Sequence, residues 1–388
     1  MPPWQSSAFR PFHLLGALAA VVLTGGPALA WIGVAPGSFA ALHAHEMLFG
    51  FSLAVIAGTV LTALPSWAGT APVQGAALVQ LVGLWLLGRA ALALWGWLPA
   101  FVVAAADLAL PLVLMVRIAP QLLRLAERRW LLVLLPLLGL AAANATWHFA
   151  QAGGDSALAA AALRGALWAV VVMFSLAGGL FTPAFTANVA AERGRRAPDP
   201  ASVPLEAAAL TLLLALVLAD LGAADPRWIG PLATSATLVH ALRVIRWRGW
   251  TAVHDPLVAA MHLGFAWMLA ALALKAAAGF GAPWPEATWV HAFTVGALGT
   301  MKITLMTRVA LRHTGRPLVA PAELPWLLLL INAAALARLG AALNGGAGML
   351  LAGSRLLLAG AALAWMLALG LWAGRHVRIL LAPSLPRH

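Results

Sequence analysis

The chain has 388 residues with no cysteine and no tyrosine, so its candidate metal ligands and proton carriers are mainly its 11 histidines and a few carboxylates. Absent thiols exclude disulfides, thiolate metal sites and iron–sulfur clusters. Absent phenols exclude a tyrosine donor or radical. Two of the histidines fall two apart in His43-Ala44-His45-Glu46. On a helix such residues point about 200° apart, so they do not ligate one ion from one face. One is suited to bind a haem iron axially while the other meets a neighbouring site or supporting partner. Glu46 stands where it could orient an imidazole or take a proton; an interfacial carboxylate is the ordinary alternative. No phosphate loop, dinucleotide fingerprint, zincin motif or nucleophile-elbow serine is present.

The elements that must position these groups follow from composition. Hydrophobic residues make up 63% and charged residues 9%, and the mean hydropathy is +0.91. A water-soluble fold is excluded, because soluble domains carry about 25% charged residues. The remaining class is an all-α polytopic membrane bundle, since helices pair every backbone polar group within the segment. Twelve apolar runs are expected to span: about 11–34, 40–64, 73–95, 98–118, 130–150, 158–188, 203–222, 228–247, 255–279, 287–311, 322–343 and 347–373. The whole chain, 1–388, reads as one transmembrane domain. The polar stretch 191–204 reads as a cytoplasmic loop, with a linker between six-helix halves as the transporter-like alternative. Residues 1–30 imitate a signal peptide, with Ala28-Leu29-Ala30 before Trp31, and are expected to be retained.

The net charge of +12 does not point to nucleic acid, because the arginines sit in short loops between apolar runs. Those after spans 4, 6, 8 and 10 hold Arg124, Arg195, Arg246 and Arg312 among others, and the tail adds Arg375, Arg378 and Arg387. The opposite loops have only Arg227 nearby. The positive-inside rule then places both termini in the cytoplasm.

Depth in the bilayer can be counted at about 1.5 Å per residue. His43, His45, His148 and His291 all fall roughly 10–13 Å to the outer side of their spans' midpoints. His240, His262 and Lys302, on spans 8, 9 and 10, fall roughly 4–8 Å to the inner side, and one inner cluster of the three is expected. Intramembrane ionisable groups mark function by default, although any single one has the ordinary explanation of a hydrogen-bonded core residue. Arg89 and Arg164 are candidates to pair with haem propionates; pairing with a carboxylate such as Asp107, or snorkelling, is their ordinary role. Asp220 and His254 read as interfacial, His313 as a surface turn in RHTGRP, and His13, His376 and His388 as uninformative. Gly50, Gly58, Gly296 and Gly299 would let helices or a flat macrocycle approach closely.

Several blocks are also familiar as sequence. FRPFHLLGAL (9–18), HAHEMLFGF (43–51), MHLGFAW (261–267), HAFTVGALGTM (291–301) and MTRVALRHTGRP (306–317) resemble the NnrS family of bacterial membrane proteins, with ANATWH (143–148) in place of the family's ANxxFH. The resemblance implies a haem- and copper-containing inner-membrane protein of the nitric oxide and nitrosative stress response, often found with denitrification genes. It maps the family's histidines onto His43, His45, His148, His240, His262 and His291. A more distant similarity is to the catalytic subunit of haem–copper oxidases, whose second helix His-Met-Phe pattern His43, Met47 and Phe49 match. That similarity implies an oxidase-like helix arrangement. It fails at span 7, which lacks the paired copper histidines, and at the missing tyrosine.

The expected function is a haem/copper membrane protein that senses, binds or converts nitric oxide. Haem iron would take His43 or His45, and His291; copper would take some of His148, His240, His262 and the remaining outer histidine. The partners are nitric oxide or a related small molecule and the lipid bilayer, with no nucleic acid and no electron donor identified; whether nitric oxide is turned over stays open. The alternative is a transporter of a metal or small solute whose buried histidines form a transient site.

Overall fold

The structure is a computed structural model that describes residues 1–35, 42–125, 128–195, 202–222, 225–344 and 352–386. Part of the stretch 191–204, with Arg196, lies outside the described residues, as do 40–41, 347–351, Arg387 and His388. The described residues contain no strand, only helices and the single bridge Trp95–Leu98.

Among the described residues, twelve helical rods follow in order. They are α1 (Phe9–Trp31), α2 (His43–Ala68), α3 (Ala76–Ala93), α4 (Ala100–Leu123), α5 (Leu134–Gly153) and α6 (Ser156–Glu192). After them come α7 (Val203–Leu221), α8 (Pro226–Arg246), α9 (Pro256–Gly279), α10 (287–313), α11 (Leu324–Asn344) and α12 (Ala352–Leu381). Among the described residues, 10 of them are long and apolar enough to cross a membrane; the sequence led to an expectation of twelve. The two that fall short are α8 and α10, the helices that carry His240, Arg243 and Arg246, and His291, Lys302 and Arg308. Their polarity is tolerable because much of it faces protein: His240, Arg243, Lys302 and Arg308 are all buried.

Neighbours in sequence are mostly neighbours in space, as short connections require. Helices α3 to α6 pack in succession, α7 to α12 continue the series, and α12 returns against α1. The ends are tied chemically as well: Arg10 of α1 donates to the carbonyls of Leu380 and Ala382, at 2.7 Å each. Inside this wall stand α2 and α10. The apolar window of α2 is 83% buried, against 17% for α7, so α2 is core and α7 is periphery.

Both central helices depart from α geometry at the same place in their sequence logic. Glu46–Ser52 in α2 and Ala292–Gly299 in α10 are π-helical, each beginning just after a histidine of interest. Such segments are rare and concentrate at functional sites. A π turn leaves carbonyls poorly paired, and here hydroxyls return to them: Ser52 Oγ donates to the Met47 carbonyl at 2.8 Å and Thr294 Oγ1 to Val290 at 2.9 Å.

Candidate metal centres

The four histidines expected at the outer level divide into two sites. His43 and His291 open into one cavity of about 270 Å³, walled by Trp31, Met47, Phe51, Leu167, Leu298 and Trp365 among others. His43 Nδ1 donates to the Leu23 carbonyl at 3.3 Å and His291 Nδ1 to the Ala287 carbonyl at 2.8 Å. A carbonyl only accepts, so both rings carry hydrogen on Nδ1 and keep the Nε2 lone pair for a ligand. That is the supporting bond found behind metal-ligating imidazoles. The Trp31 ring meets His43 edge-on at 4.9 Å and holds its plane. Arg164 and Arg338 line the same cavity.

His45 points away from this cavity, as the 200° spacing requires. With His148 it forms a second site around Asp107, whose carboxylate is fully buried. His45 Nε2 lies 3.2 Å and His148 Nε2 3.0 Å from Asp107 Oδ2. Asn144 Nδ2 donates to the same oxygen at 2.8 Å. His45 Nδ1 faces Glu46 Oε1 at 3.3 Å. Trp147 packs over the His45 ring at 4.1 Å and Trp95 stacks on His148 at 6.1 Å, so the site is closed by indoles. The three ligand atoms lie within 4.8 Å of one another, close enough for one ion with metal–nitrogen bonds of about 2 Å. The same atoms also satisfy each other as a hydrogen-bond network, so this site is competent with a metal or without one.

Arg89 bridges the two carboxylates of that site, pairing with Glu46 and with Asp107. This corrects its candidacy for a haem propionate, since its donors are directed to protein. Two glycines admit the arrangement: a Cβ on Gly50 would stand 3.3 Å from Arg89 and Glu46 atoms, and one on Gly88 would stand 3.1 Å from the Asp107 Cα. Of the glycines expected to admit helices or a flat macrocycle, three meet side chains of neighbouring helices. Gly58 faces His13 and Phe12, Gly296 faces Trp267, and Gly299 faces Trp365.

The expected inner cluster does not form. His240 Nε2 bonds Ser175 Oγ at 2.9 Å and its Nδ1 donates to Ala236 at 2.8 Å, leaving no free nitrogen. His262 Nε2 bonds Thr186 Oγ1 at 2.9 Å. Ser175 and Thr186 are eleven residues apart on α6, about 16 Å along the axis, so the two imidazoles share no ion. Lys302 lies elsewhere, with Nζ 3.9 Å from the centre of the Phe51 ring. A depth counted along each helix separately does not fix how one helix stands against another.

Among the charged residues inside apolar runs that the sequence reading left out are Arg338 and Lys275. Arg338, in the run 322–343, lines the His43/His291 cavity. Lys275 of α9 pairs with Asp220 at 2.6 Å and with Glu286 at 2.9 Å, so Asp220 is an ion-pair partner and not simply interfacial. The signal for both was the one already applied to the histidines, an ionisable group within a span.

The chain matches the family model described as NnrS protein over residues 3–384, and it belongs to that family. No curated protein matches it.

Proposed function

We propose that this multi-pass membrane protein binds haem and copper in the bacterial inner membrane and binds or converts nitric oxide there. The observation that carries the reading is the outer cavity, where two imidazoles from α2 and α10 keep Nε2 available beside two guanidinium groups and apolar walls. This donor set suits haem: imidazole for iron, Arg164 and Arg338 for propionates, and Leu, Phe and Trp surfaces for the macrocycle. When bound, haem would supply an iron centre able to take a small gas molecule. The chain's own part is to fix both rings through Leu23 and Ala287, and to keep bulk water from the apolar cavity. A small, nearly apolar molecule can reach such a cavity through the bilayer. Copper would be held by His45, His148 and Asp107, a set consistent with imidazole's preference for that metal; His240 and His262 drop out of the copper set. Family membership supports the nitric-oxide-response reading.

The reading includes all twelve rods as spans with both termini cytoplasmic, the arrangement that the arginine distribution favours. It also includes the oxidase-like arrangement, with α2 and α10 as the haem-bearing pair. The test is an optical spectrum with metal analysis of purified protein, with and without nitric oxide, repeated on His291→Ala. Haem in the wild type, a nitric-oxide-induced spectral change and loss or conversion of haem in the variant are expected. Protein expressed with haem and copper available, yet carrying neither, would overturn the reading; solute flux by such protein would favour the transporter.

A further inference from the structure

Among the buried nitrogens outside both histidine sites that have no hydrogen-bond partner among the described residues are His13 Nδ1 on α1 and Lys302 Nζ on α10. His13 is 0% and Lys302 4% exposed. Hiding idle donors is costly if packing is all they do. A methionine or leucine would fill the same space without that cost.

Their placement gives them a common use. Lys302 Nζ sits over Phe51, and Phe51 and Ser52 are walls of the His43/His291 cavity. His13 offers its other nitrogen, Nε2, to Thr59 Oγ1 at 3.2 Å. Thr59 is a wall of a second cavity, of about 600 Å³, toward the ends of α2 and α10 remote from His43 and His291. That cavity is more polar than the first, with Thr62, Asn188, Glu192, Asp255, Arg308 and His313 among its walls. Lys302 and His313 are near enough to His13 to act on it electrostatically. The His13 ring is admitted against α2 because residue 58 is glycine; a Cβ there would stand 2.9 Å from the ring. Two cavities at opposite levels are thus separated by two proton carriers, each touching a wall of one of them.

We propose that His13 and Lys302 relay protons from the polar cavity, cytoplasmic in the orientation above, to the histidine-lined outer cavity. A proton passes from water at Thr59 to His13 Nε2, and the imidazole releases one from Nδ1. Lys302 takes that proton as a free amine, through bridging water, and gives it up past Phe51 toward Ser52. Lys302 ends as the amine it began as, while His13 ends as the Nε2–H tautomer and a ring flip restores Nδ1–H before the next proton, so atoms and charge balance. The inference rests on the outer cavity being a haem site: an electron added there, in a medium of low dielectric, needs a proton to offset its charge. The relay supplies that proton from the side opposite the site.

The test is photoreduction of the purified haem-loaded protein in weak buffer with a pH-indicator dye. It reads proton uptake and the iron's optical change together. Wild type should take up protons as the iron is reduced. Lys302→Met and His13→Leu should slow the uptake at least tenfold while haem content and spectrum stay at wild-type values. Thr59→Val, nearly isosteric and at the mouth of the path, should slow it several-fold and decides the matter if the other two do not fold. Wild-type uptake rates in the folded variants overturn the relay and leave the haem reading standing. A wild type that holds haem but takes up no proton on reduction also overturns it. A wild type that holds no haem overturns both.

Discussion

The Arg89 cluster allows a stability prediction with its sign and size set by counting charges. Glu46 and Asp107 contribute two carboxylates and Arg89 one guanidinium. Counting these three groups alone, the cluster has one negative charge in excess. Arg89→Met raises that excess to two and leaves both carboxylates without their cation. Removing one partner of a buried pair costs about 3–5 kcal/mol. Asp107→Asn instead leaves Arg89 paired with Glu46. It mainly disturbs the contacts from His45, Asn144 and His148. Intramembrane hydrogen bonds average roughly 0.6 kcal/mol, so three of them come to about 2 kcal/mol. The order Arg89→Met worse than Asp107→Asn follows, although the aspartate makes more contacts.

The double variant sharpens the test. Arg89→Met with Asp107→Asn leaves Glu46 facing His45, an excess of one charge as in the wild type. Its cost should fall short of the two single costs added together by about 2 kcal/mol, roughly thirtyfold in the unfolding constant. The assay is reversible unfolding in mixed dodecyl sulfate and maltoside micelles, followed by tryptophan fluorescence. Trp147, 4.1 Å from the His45 ring, makes the signal sensitive to this site. Additive costs within about 0.5 kcal/mol, or an arginine variant no worse than the aspartate one, would show that the charges do not act as a unit.

Four further outcomes are expected. His43→Ala should lose or convert haem as His291→Ala does, whereas His45→Ala should leave the iron spectrum close to wild type, as read by absorption of the purified variants. His148→Ala should lower bound copper at least tenfold by metal analysis and spare haem, while His240→Ala and His262→Ala should change neither. Arg338→Leu should raise the rate of haem loss to an apo-globin acceptor several-fold, and Arg164→Leu should act the same way from the other side of the cavity. Reporter fusions after Arg128 and Arg195 should read as cytoplasmic and one near Gly154 as periplasmic; the reverse at Arg195 would sink the proposed orientation.

The helical architecture was legible because a bilayer demands long apolar runs, and such runs need no tertiary information to be recognised. The opposed directions of His43 and His45 were legible for a similar reason, since 100° per residue is a local rule. What sequence could not supply was lateral position. His240, His262 and Lys302 are expected at one depth, yet the first two meet Ser175 and Thr186, eleven residues apart on α6, and the third leans on Phe51 of α2. Asp107 was legible as a partner for Arg89 but not as the centre of a site, because its other donors come from α2 and α5. Arg338 was overlooked although its rule was in use, its long stem resembling an interfacial snorkel within an apolar run. The π segments have no simple sequence signal, and they matter because they change which face each later residue presents.

The two sites are joined through a single helix, and that has a mechanical consequence. His43 faces the outer cavity and His45 faces Asp107, two residues apart on α2, and the π segment Glu46–Ser52 begins immediately after them. Tightening that segment to α geometry would rotate the preceding turn by about 100° per residue absorbed, carrying both imidazoles off their partners together. The segment is held open by Ser52 on the Met47 carbonyl, by the Trp85 indole donating to Gly50 at 3.0 Å, and by Arg89 on Glu46. Trp85 and Arg89 both belong to α3, four residues apart and therefore on one face. Helix α3 supplies no histidine to either site, yet it clamps the one stretch of backbone that orients the proposed ligands of both. A change in the charge of the Asp107 site acts on Arg89 directly, and through Arg89 on the backbone carrying His43. The paired histidines of α2 thus make the two centres one mechanical unit, with α3 as its brace.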